Sequence, residues 1–367
     1  MPPFSAFDES CMRRALVLAE RGLYSTDPNP RVGCVIARGE QIIAEGWHQR
    51  AGEPHAEAIA LAAAGDLARG ATVYLTLEPC SHQGRTPPCV DAVIRAGVAR
   101  VVCAHQDPNP RVNGAGLEQM RRAGISVAVG LLADLARALN PGFIKRHEAG
   151  KPWVRIKLAA SLDARTALAD GTSRWITGAP ARADGQHWRA RSSAVITGIG
   201  TVLADDPRLD VRIPVGGEPA RQPLRVVLDS RRRTPPKARV LAPPGECWLC
   251  VAAGASRSAD GAAGARLIEL PSSAEGLDLG ALLARLVEHE ANEVLVEAGP
   301  RLAGAFVARG LFDELILYVA PKLFGPDARP LLALPPIAAI GDGPRLRFGE
   351  VERIGEDLRI IATPRTD

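Results

Sequence analysis

With 367 residues the chain is too long for one ordinary hydrophobic core, so two domains are expected. A hydrophobic fraction of 46% and a charged fraction of 23% are ordinary for a globular protein, so disorder is not the default reading. The net charge of +4 comes from scattered arginines, densest at Arg231-Arg232-Arg233, and only 4% of residues are aromatic, so composition gives no argument for nucleic-acid binding.

Met1 to Ser10 contains Asp8 and Glu9 and lacks the apolar stretch of a signal peptide. No run approaches the roughly 18 apolar residues of a membrane span. Seven cysteines, an odd number, fit reduced thiols in a cytoplasm, some of them free to bind metal. Ser10 to Arg21 is spaced as a helix, with Met12, Ala15, Leu16 and Ala19 on one face and Gly22 as its stop. Two strands, Val32 to Ala37 and Gln41 to Gly46, are joined by the short turn Arg38-Gly39-Glu40. An alanine-rich helix follows over His55 to Ala64, then a strand over Ala71 to Leu77 and a helix over Val90 to Ala96. Arg100 to Ala104 reads as a strand, Leu117 to Ala123 as a helix and Ser126 to Val129 as a last short strand. Strands alternating with helices predict a layered α/β sheet.

The pattern breaks at Asn140-Pro141-Gly142, and Glu148 to Pro152 is rich in turn residues, so the domain boundary is placed there. A second α/β series runs through Val154–Ala159, Ala181–Ala190, Ala194–Thr197, Leu224–Leu228, Cys247–Val251, Val294–Glu297, Leu302–Ala308 and Leu315–Val319. The Pro/Gly-rich stretch Arg212 to Pro223 reads as a surface loop. One hexapeptide recurs: Asp27-Pro-Asn-Pro-Arg-Val32 returns as Asp107-Pro-Asn-Pro-Arg-Val112, each copy a stiff turn that fixes an asparagine, or else a pair of unrelated β-turns.

The chemistry concentrates around residues 55–89. His55-Ala-Glu57 opens a predicted helix, Glu78-Pro79-Cys80 closes a predicted strand, and Cys89 stands where the next helix begins. Three protein ligands, His55, Cys80 and Cys89, would leave a zinc ion its fourth position for water, the arrangement of a catalytic site. Glu57 is then placed to take a proton from that water and pass it to departing ammonia. The order resembles the His-x-Glu … Pro-Cys-x-x-Cys signature of zinc nucleobase deaminases, although here eight residues, Ser81 to Pro88, separate the thiols. That insert brings a His, an Arg and a hydroxyl beside the metal, groups suited to a phosphate-bearing or many-edged polar substrate. Buried cysteines, or a structural zinc lacking one ligand, are the plain alternatives. His48 ends a strand aimed at the same region, and both a core and a site role are open for it. Cys247-Trp-Leu-Cys250 lies inside an apolar β-rich run with no second pair, so core packing is expected rather than redox or zinc chemistry.

The run Leu75-Thr-Leu-Glu-Pro-Cys-Ser-His-Gln-Gly-Arg-Thr-Pro-Pro-Cys89 closely resembles the bifunctional riboflavin-biosynthesis deaminase–reductase family. So do Lys157-Leu-Ala-Ala-Ser-Leu-Asp163, Ser173-Arg-Trp-Ile-Thr177 and Gly200-Thr-Val-Leu-Ala-Asp-Asp-Pro207, in the family's order and across both halves. The resemblance implies an N-terminal cytidine-deaminase-like three-layer α/β/α domain over residues 1–148 and a C-terminal dihydrofolate-reductase-like α/β domain over 149–367. The first would deaminate 2,5-diamino-6-ribosylamino-4(3H)-pyrimidinone 5′-phosphate, and the second would use NADPH to reduce the ribosyl group to ribityl. By motif, Asn29, His48, His82, Arg85, Asp107 and Asn109 would contact the deaminase substrate. Arg85 stands where some members carry lysine, which changes the geometry available to a phosphate.

The reductase half needs a bound nicotinamide, a proton donor and an anchor for the 5′-phosphate. Glu297 to Gly304 follows a strand and opens a helix, where backbone N–H groups can meet phosphate; strand–Gly–helix turns are common, so this signal is weak alone. Thr197-Gly-Ile-Gly-Thr201 is not a full GxGxxG, which argues against a Rossmann domain. The resemblance places Ala159, Trp175, Thr201, Asp205, Ser230, Gly299, Pro300, Arg301, Leu302, Ala303, Gly304 and Ala305 at the NADPH site. It places Ser173, Arg189, Leu209, Arg212 and Glu297 at the substrate, the two arginines as phosphate clamps. Lys157 and Asp205, a basic group and a carboxylate matching the family's motifs, are the candidates for reductase chemistry. Lys157 also lies on a predicted strand between apolar neighbours, where an unpaired charge is costly unless it has a partner or a task. Arg231 to Arg233 reads as a solvated run, with the cofactor's 2′-phosphate as a second possibility. A nucleic-acid editing zinc deaminase with an appended binding domain is the alternative activity, and a zinc-stabilised scaffold without catalysis is a third reading. The expected partner is a small pyrimidine ribosyl phosphate, with no nucleic acid and no membrane, and a homo-oligomer is compatible with all of this.

Overall fold

A computed structural model of the chain describes residues 4–82, 88–255 and 264–365. They fall into two compact units, Met1–Gly150 and Lys151–Asp367.

The first unit is a sheet covered by helices on both faces. Helix α1 (Ala6–Glu20) starts four residues earlier than its apolar spacing predicts, because Ser5 and Asp8 form a reciprocal capping box at its N-terminus. Strands β1 (Gly33–Arg38) and β2 (Gln41–Trp47) pair antiparallel across a tight turn. Helix α2 (Ala56–Ala64), strand β3 (Thr72–Leu75), helix α3 (Cys89–Arg95), strand β4 (Arg100–Cys103), helix α4 (Ala115–Arg122) and strand β5 (Ser126–Val129) follow as predicted in type. The strand order is β2-β1-β3-β4-β5, with β3, β4 and β5 parallel. Alternation along the strands sorts the layers: Ile36, Val73, Leu75 and Val101 pack with Ala56, Ala60, Val90 and Leu117 of α2, α3 and α4. Val35, Tyr74 and Val102 pack with Met12 and Ala15 of α1 on the other face. This is the expected three-layer α/β/α arrangement. The predicted break at Asn140 is instead the junction of two helices, α5 (Ala133–Leu139) and α6 (Pro141–Ala149); a proline is tolerated there because it occupies the first helical position.

The second unit is built on nine strands. Seven run parallel, in the order Arg266–Leu270, Cys247–Ala252, Leu224–Leu228, Ala194–Gly198, Glu293–Val296, β6 (Trp153–Ser161) and Glu314–Ala320. The hairpin Asp357–Pro364 and Leu346–Ile354 adds two antiparallel strands beyond Glu314–Ala320. Helices α7 (Ala179–Arg191) and α8 (Ile199–Asp205) contribute to the core on one face, with Val195, Val227 and Ile316. Helices α9 (Leu279–Glu288) and α10 (Pro300–Ala308) cover the other, against Ile156, Ile196 and Val294. Cys250 lies in that second core and Cys247 is buried, as core packing predicts. The loop expected over 212–223 contains a two-residue-per-strand hairpin, Pro214–Val215 with Glu218–Pro219. Among the described residues no helix is long and apolar enough to cross a membrane.

Candidate active sites

In the first unit three pieces of chain bring the metal-site residues together. His55 is the N-cap of α2, Cys80 lies in the loop after β3, and Cys89 is the first residue of α3. One donor atom from each lies within 4.8 Å of the others. The His55 Nδ1 is 3.6 Å from Cys80 Sγ and 3.3 Å from Cys89 Sγ, and the Cys89 N–H donates to Cys80 Sγ at 3.3 Å. Hydrogen bonding with the Cys89 thiol, then the His55 ring and the Cys89 N–H, pull the Cys80 thiol down to about 4 against its burial. The neighbouring Cys80 sulfur and burial push the Cys89 thiol the other way.

Glu57 sits in the first turn of α2 and is buried, and burial pushes its carboxyl up to about 7 against the pull of His55. Its Oε2 is buried without a hydrogen-bond partner among the described residues. One imidazole nitrogen and two sulfurs form a donor set that fits Zn²⁺, and the orphaned Glu57 oxygen is an acceptor in want of a proton-bearing group. The residues present therefore fit the metal.

The remaining first-unit candidates fall around this cluster in different degrees. His48 is buried, its ring 5.1 Å from that of His55. Its Nδ1 donates to Pro54 O at 3.1 Å, which leaves Nε2 to accept from Asn29 Nδ2 at 3.1 Å. Asn29 and His48 are thus held together. Asp107 is buried, which pushes its carboxyl up to about 7 with help from the charges of Glu78 and Cys80. Its Oδ1 accepts from the Asn109 N–H at 2.8 Å, so Asp107 and Asn109 form one turn. His82 has a buried Nδ1 with no partner among the described residues. Arg85 lies outside the described residues.

The two hexapeptide copies are anchored by different means. In the first, the Asn140 side chain accepts from Arg31 N at 2.8 Å and donates to Arg31 O at 2.9 Å. In the second, the Asp107 N–H donates to Glu78 Oε2 at 3.1 Å. Asn140 and Glu78 were given no role from sequence; the available signal for Glu78 was a carboxylate at the end of an apolar strand, which has to find donors once buried.

In the second unit several candidates lie at the carboxyl ends of the parallel strands, where open α/β sheets take their ligands. Ala159 is near the end of β6, Thr201 follows Ala194–Gly198, Ser230 follows Leu224–Leu228, and Gly299 follows Glu293–Val296. The strand ends are level, with Ile196 paired to Val296 and Gly198 to Leu228. Gly299 caps α10 with no capping side chain, and a Cβ added at Gly299 or Gly200 would meet nothing within 4 Å. Open backbone N–H groups at that edge fit the phosphates of a dinucleotide. Pro300, Arg301, Leu302 and Ala305 are partly buried or exposed in the first turns of α10, whereas Ala303 and Gly304 turn inward. Ala303 is in the core, and a Cβ at Gly304 would lie 2.3 Å from Ala333 O, so the second glycine serves helix packing.

Lys157, Arg189 and Glu297 form a cluster on the α7 side of the sheet. Lys157 Nζ is 5.5 Å from the centre of the Tyr318 ring, and burial, with the Arg189 charge, lowers its pKa while Glu297 raises it. Arg189 meets Glu297 through two hydrogen bonds, at 2.5 and 2.9 Å, and donates its third to Asp210 O at 3.1 Å. Arg212 pairs with Asp210 at 2.6 Å, leaving its side chain 56% exposed and more available to a phosphate than Arg189. Leu209 is buried beside them in a left-handed conformation. Ser173 Oγ donates to Asp205 Oδ1 at 3.1 Å, and Trp175, 62% exposed, lies under Arg182 at 4.5 Å. No hydrogen bond or ion pair joins the Asp205 group to the Lys157 group among the described residues. Arg231 and Arg233 are exposed.

Comparison with known proteins covers both units. Residues 5–105 match the cytidine and deoxycytidylate deaminase zinc-binding region, and residues 152–360 match the RibD C-terminal domain. The chain is 50% identical over 360 residues to the riboflavin biosynthesis protein RibD of Escherichia coli strain K12, covering 96% of this chain and 98% of that protein. It is 46% identical over 380 residues to the Haemophilus influenzae protein of the same name, covering 100% of each. Among solved structures, Acinetobacter baumannii RibD superposes with a TM-score of 0.92 at 45% identity, over 98% of this chain and 99% of that one. The diaminohydroxyphosphoribosylaminopyrimidine deaminase/5-amino-6-(5-phosphoribosylamino)uracil reductase of Thermotoga maritima superposes with a TM-score of 0.85 at 33% identity, again over 98% and 99%.

Proposed function

The chain belongs to the bifunctional riboflavin-biosynthesis deaminase–reductase family, and on that footing we propose which of its residues carry the two reactions. It is an enzyme with a hydrolase and an oxidoreductase activity: zinc-dependent deamination of the diaminopyrimidinone ribosyl phosphate, then NADPH-dependent reduction of the ribosyl group. The editing deaminase is not favoured. Residues 1–148 carry the first step and residues 149–367 the second.

His55, Cys80 and Cys89 hold the zinc, which when bound supplies a Lewis acid that makes a hydrolytic water acidic near neutral pH. Glu57 takes the water's proton on Oε2 and delivers it to the departing amine, a task its burial in the helical turn that the ligand His55 caps places it to perform. Asn29, through its hydrogen bond to His48, and the Asp107–Asn109 turn hold the pyrimidine edges, and His82 and Arg85 are the remaining substrate contacts. The observation that carries this reading is the convergence of the three donor atoms beside a buried, unpartnered Glu57 oxygen.

For the second step, Ala159, Trp175, Thr201, Asp205, Ser230 and the turn from Gly299 to Ala305 receive NADPH, which when bound supplies the hydride. Lys157 and Asp205 handle protons; a lysine whose pKa is lowered by burial gives up its proton more readily. Ser173, Arg189, Leu209, Arg212 and Glu297 hold the ribosyl phosphate.

The partner is a small molecule, and nucleic acid is not expected. The compartment is a reducing cytoplasm, which keeps Cys80 and Cys89 available as ligands. A second copy of the chain is the proposed cover for the edge strand Leu346–Ile354, where Phe348 is 73% and Val351 57% exposed. Sedimentation of the wild type against Phe348→Glu reads that contact. The activity test supplies the diaminopyrimidinone ribosyl phosphate and follows ammonia and NADPH together. Ammonia first and NADPH oxidation second supports the assignment; ammonia alone would overturn the reading of the second unit.

A further inference from the structure

Glu78 is buried, stands two residues before Cys80, and takes no part in either reaction as assigned above. No cation pairs with it among the described residues. Four backbone N–H groups satisfy it instead: Asp107 at 3.1 Å and Gly114 at 2.9 Å on Oε2, Gly116 at 3.0 Å and Leu117 at 3.3 Å on Oε1. Three of these belong to the N-terminal end of α4, where a negative charge is favoured and N–H groups lack partners of their own. The Glu78 N–H in turn donates to His105 O at 3.1 Å. The chain packs so closely here that a Cβ at Gly116 would lie 2.6 Å from Pro79 O.

One carboxylate therefore clamps the loop that leads to Cys80 onto the loop that carries Asp107 and Asn109. We propose that Glu78 is a positioning residue for deamination: it sets the Asp107–Asn109 turn relative to the metal-ligand loop, so that the pyrimidine held by the turn meets Glu57 and the metal site in register. The chain of contacts is continuous, from Glu78 to the Asp107 N–H and from the Asp107 carboxylate to the Asn109 N–H. This rests on Asp107 and Asn109 as substrate contacts.

Glu78→Gln tests it in the full-length enzyme. The amide keeps the shape but turns two donors toward backbone N–H groups that need an acceptor. Bound zinc per chain should stay at the wild-type level. KM for the pyrimidine should rise by about tenfold or more, the effect of disturbing hydrogen bonds to a charged acceptor, while kcat changes far less. Gly116→Ala, which keeps the carboxylate but presses on the same junction, should raise KM in the same selective way. Asp107→Ala removes both the substrate contact and the acceptor of the Asn109 N–H, so adding Glu78→Gln to it should raise KM no further than Asp107→Ala alone. Additive effects, an unchanged KM in Glu78→Gln, or loss of zinc from that variant would each overturn the proposal. An unchanged KM in Asp107→Ala alone is a different failure, that of the Asp107–Asn109 turn as a substrate contact, and it removes what Glu78 is said to place.

Discussion

Arg189 and Glu297 meet side by side, Nε to Oε1 at 2.5 Å and Nη2 to Oε2 at 2.9 Å, so each uses up the other's planar face. Burial alone would raise the Glu297 carboxyl, but the Arg189 charge and its hydrogen bonds, with Lys157 adding, hold it down at about 2. In an unfolded chain a glutamate titrates near about 4.3. The folded form thus binds this proton less tightly, and the pair's stabilisation is complete above about pH 5 and withdrawn as the pH falls toward 2. Glu297→Gln, which leaves Arg189 unpaired, should cost about 3–5 kcal/mol at neutral pH. Urea unfolding of both proteins between pH 3 and 7 checks the sign. The two curves should converge in acid, and parallel curves would show that the carboxyl is not held low.

Glu57→Gln keeps the shape of the side chain and removes its ability to carry a proton. Deamination, followed as ammonia release, should fall by at least about 10²-fold, the lower end of what a positioned acid–base group contributes. Zinc content should be unchanged, and reduction of supplied deaminated intermediate should proceed at the wild-type rate. Loss of the reduction step as well would contradict two separate sites.

Asp205→Asn is the converse. Asp205 accepts from Ser173 Oγ at 3.1 Å, a bond an asparagine oxygen can keep, so the change removes charge and proton capacity with little change of geometry. NADPH oxidation on deaminated intermediate should fall by about 10²-fold or more while ammonia release continues. Unimpaired reduction would take Asp205 out of the chemistry.

The metal cluster was legible because its information is local: residue type and order name the ligands, and helix and strand ends present them. The family resemblance extended this to both halves. What sequence order hides is the partner that arrives from far along the chain. Glu78 meets Leu117 across 39 residues, and Arg31 meets Asn140 across 109. Asn140-Pro141-Gly142 has the composition of a turn and reads as a break. In the folded chain the proline opens α6 and the Asn140 side chain is spent on Arg31. The C-terminal hairpin escaped for a different reason: the apolar alternation that starts at Leu346 and Phe348 slips before Val351, where the pairing register shifts, so no continuous two-residue period marks the strand.

Arg155 shows the same long-range dependence in a form that stability measurements can read. Its strand lies between Glu293–Val296 and Glu314–Ala320. The buried guanidinium bonds Glu293 through Nη1 and Glu314 through Nε, and lies 5.6 Å from the centre of the Trp188 ring. Glu293 has a second cation, Arg191 at 2.9 Å, whereas among the described residues Glu314 keeps only the Trp153 indole N–H at 3.0 Å if Arg155 is lost. Arg155→Met fills most of the space but strands that carboxylate, and should cost about 3–5 kcal/mol. Arg155→Lys keeps the charge without the fork that reaches two carboxylates at once, so it should lie between. Adding Glu314→Gln to Arg155→Met should recover part of the loss, because the uncompensated charge and not the missing attraction carries most of the penalty. Urea midpoints of the four proteins decide it. If the added Glu314→Gln deepens the destabilisation, the penalty lies in packing around Trp188 and not in a stranded charge.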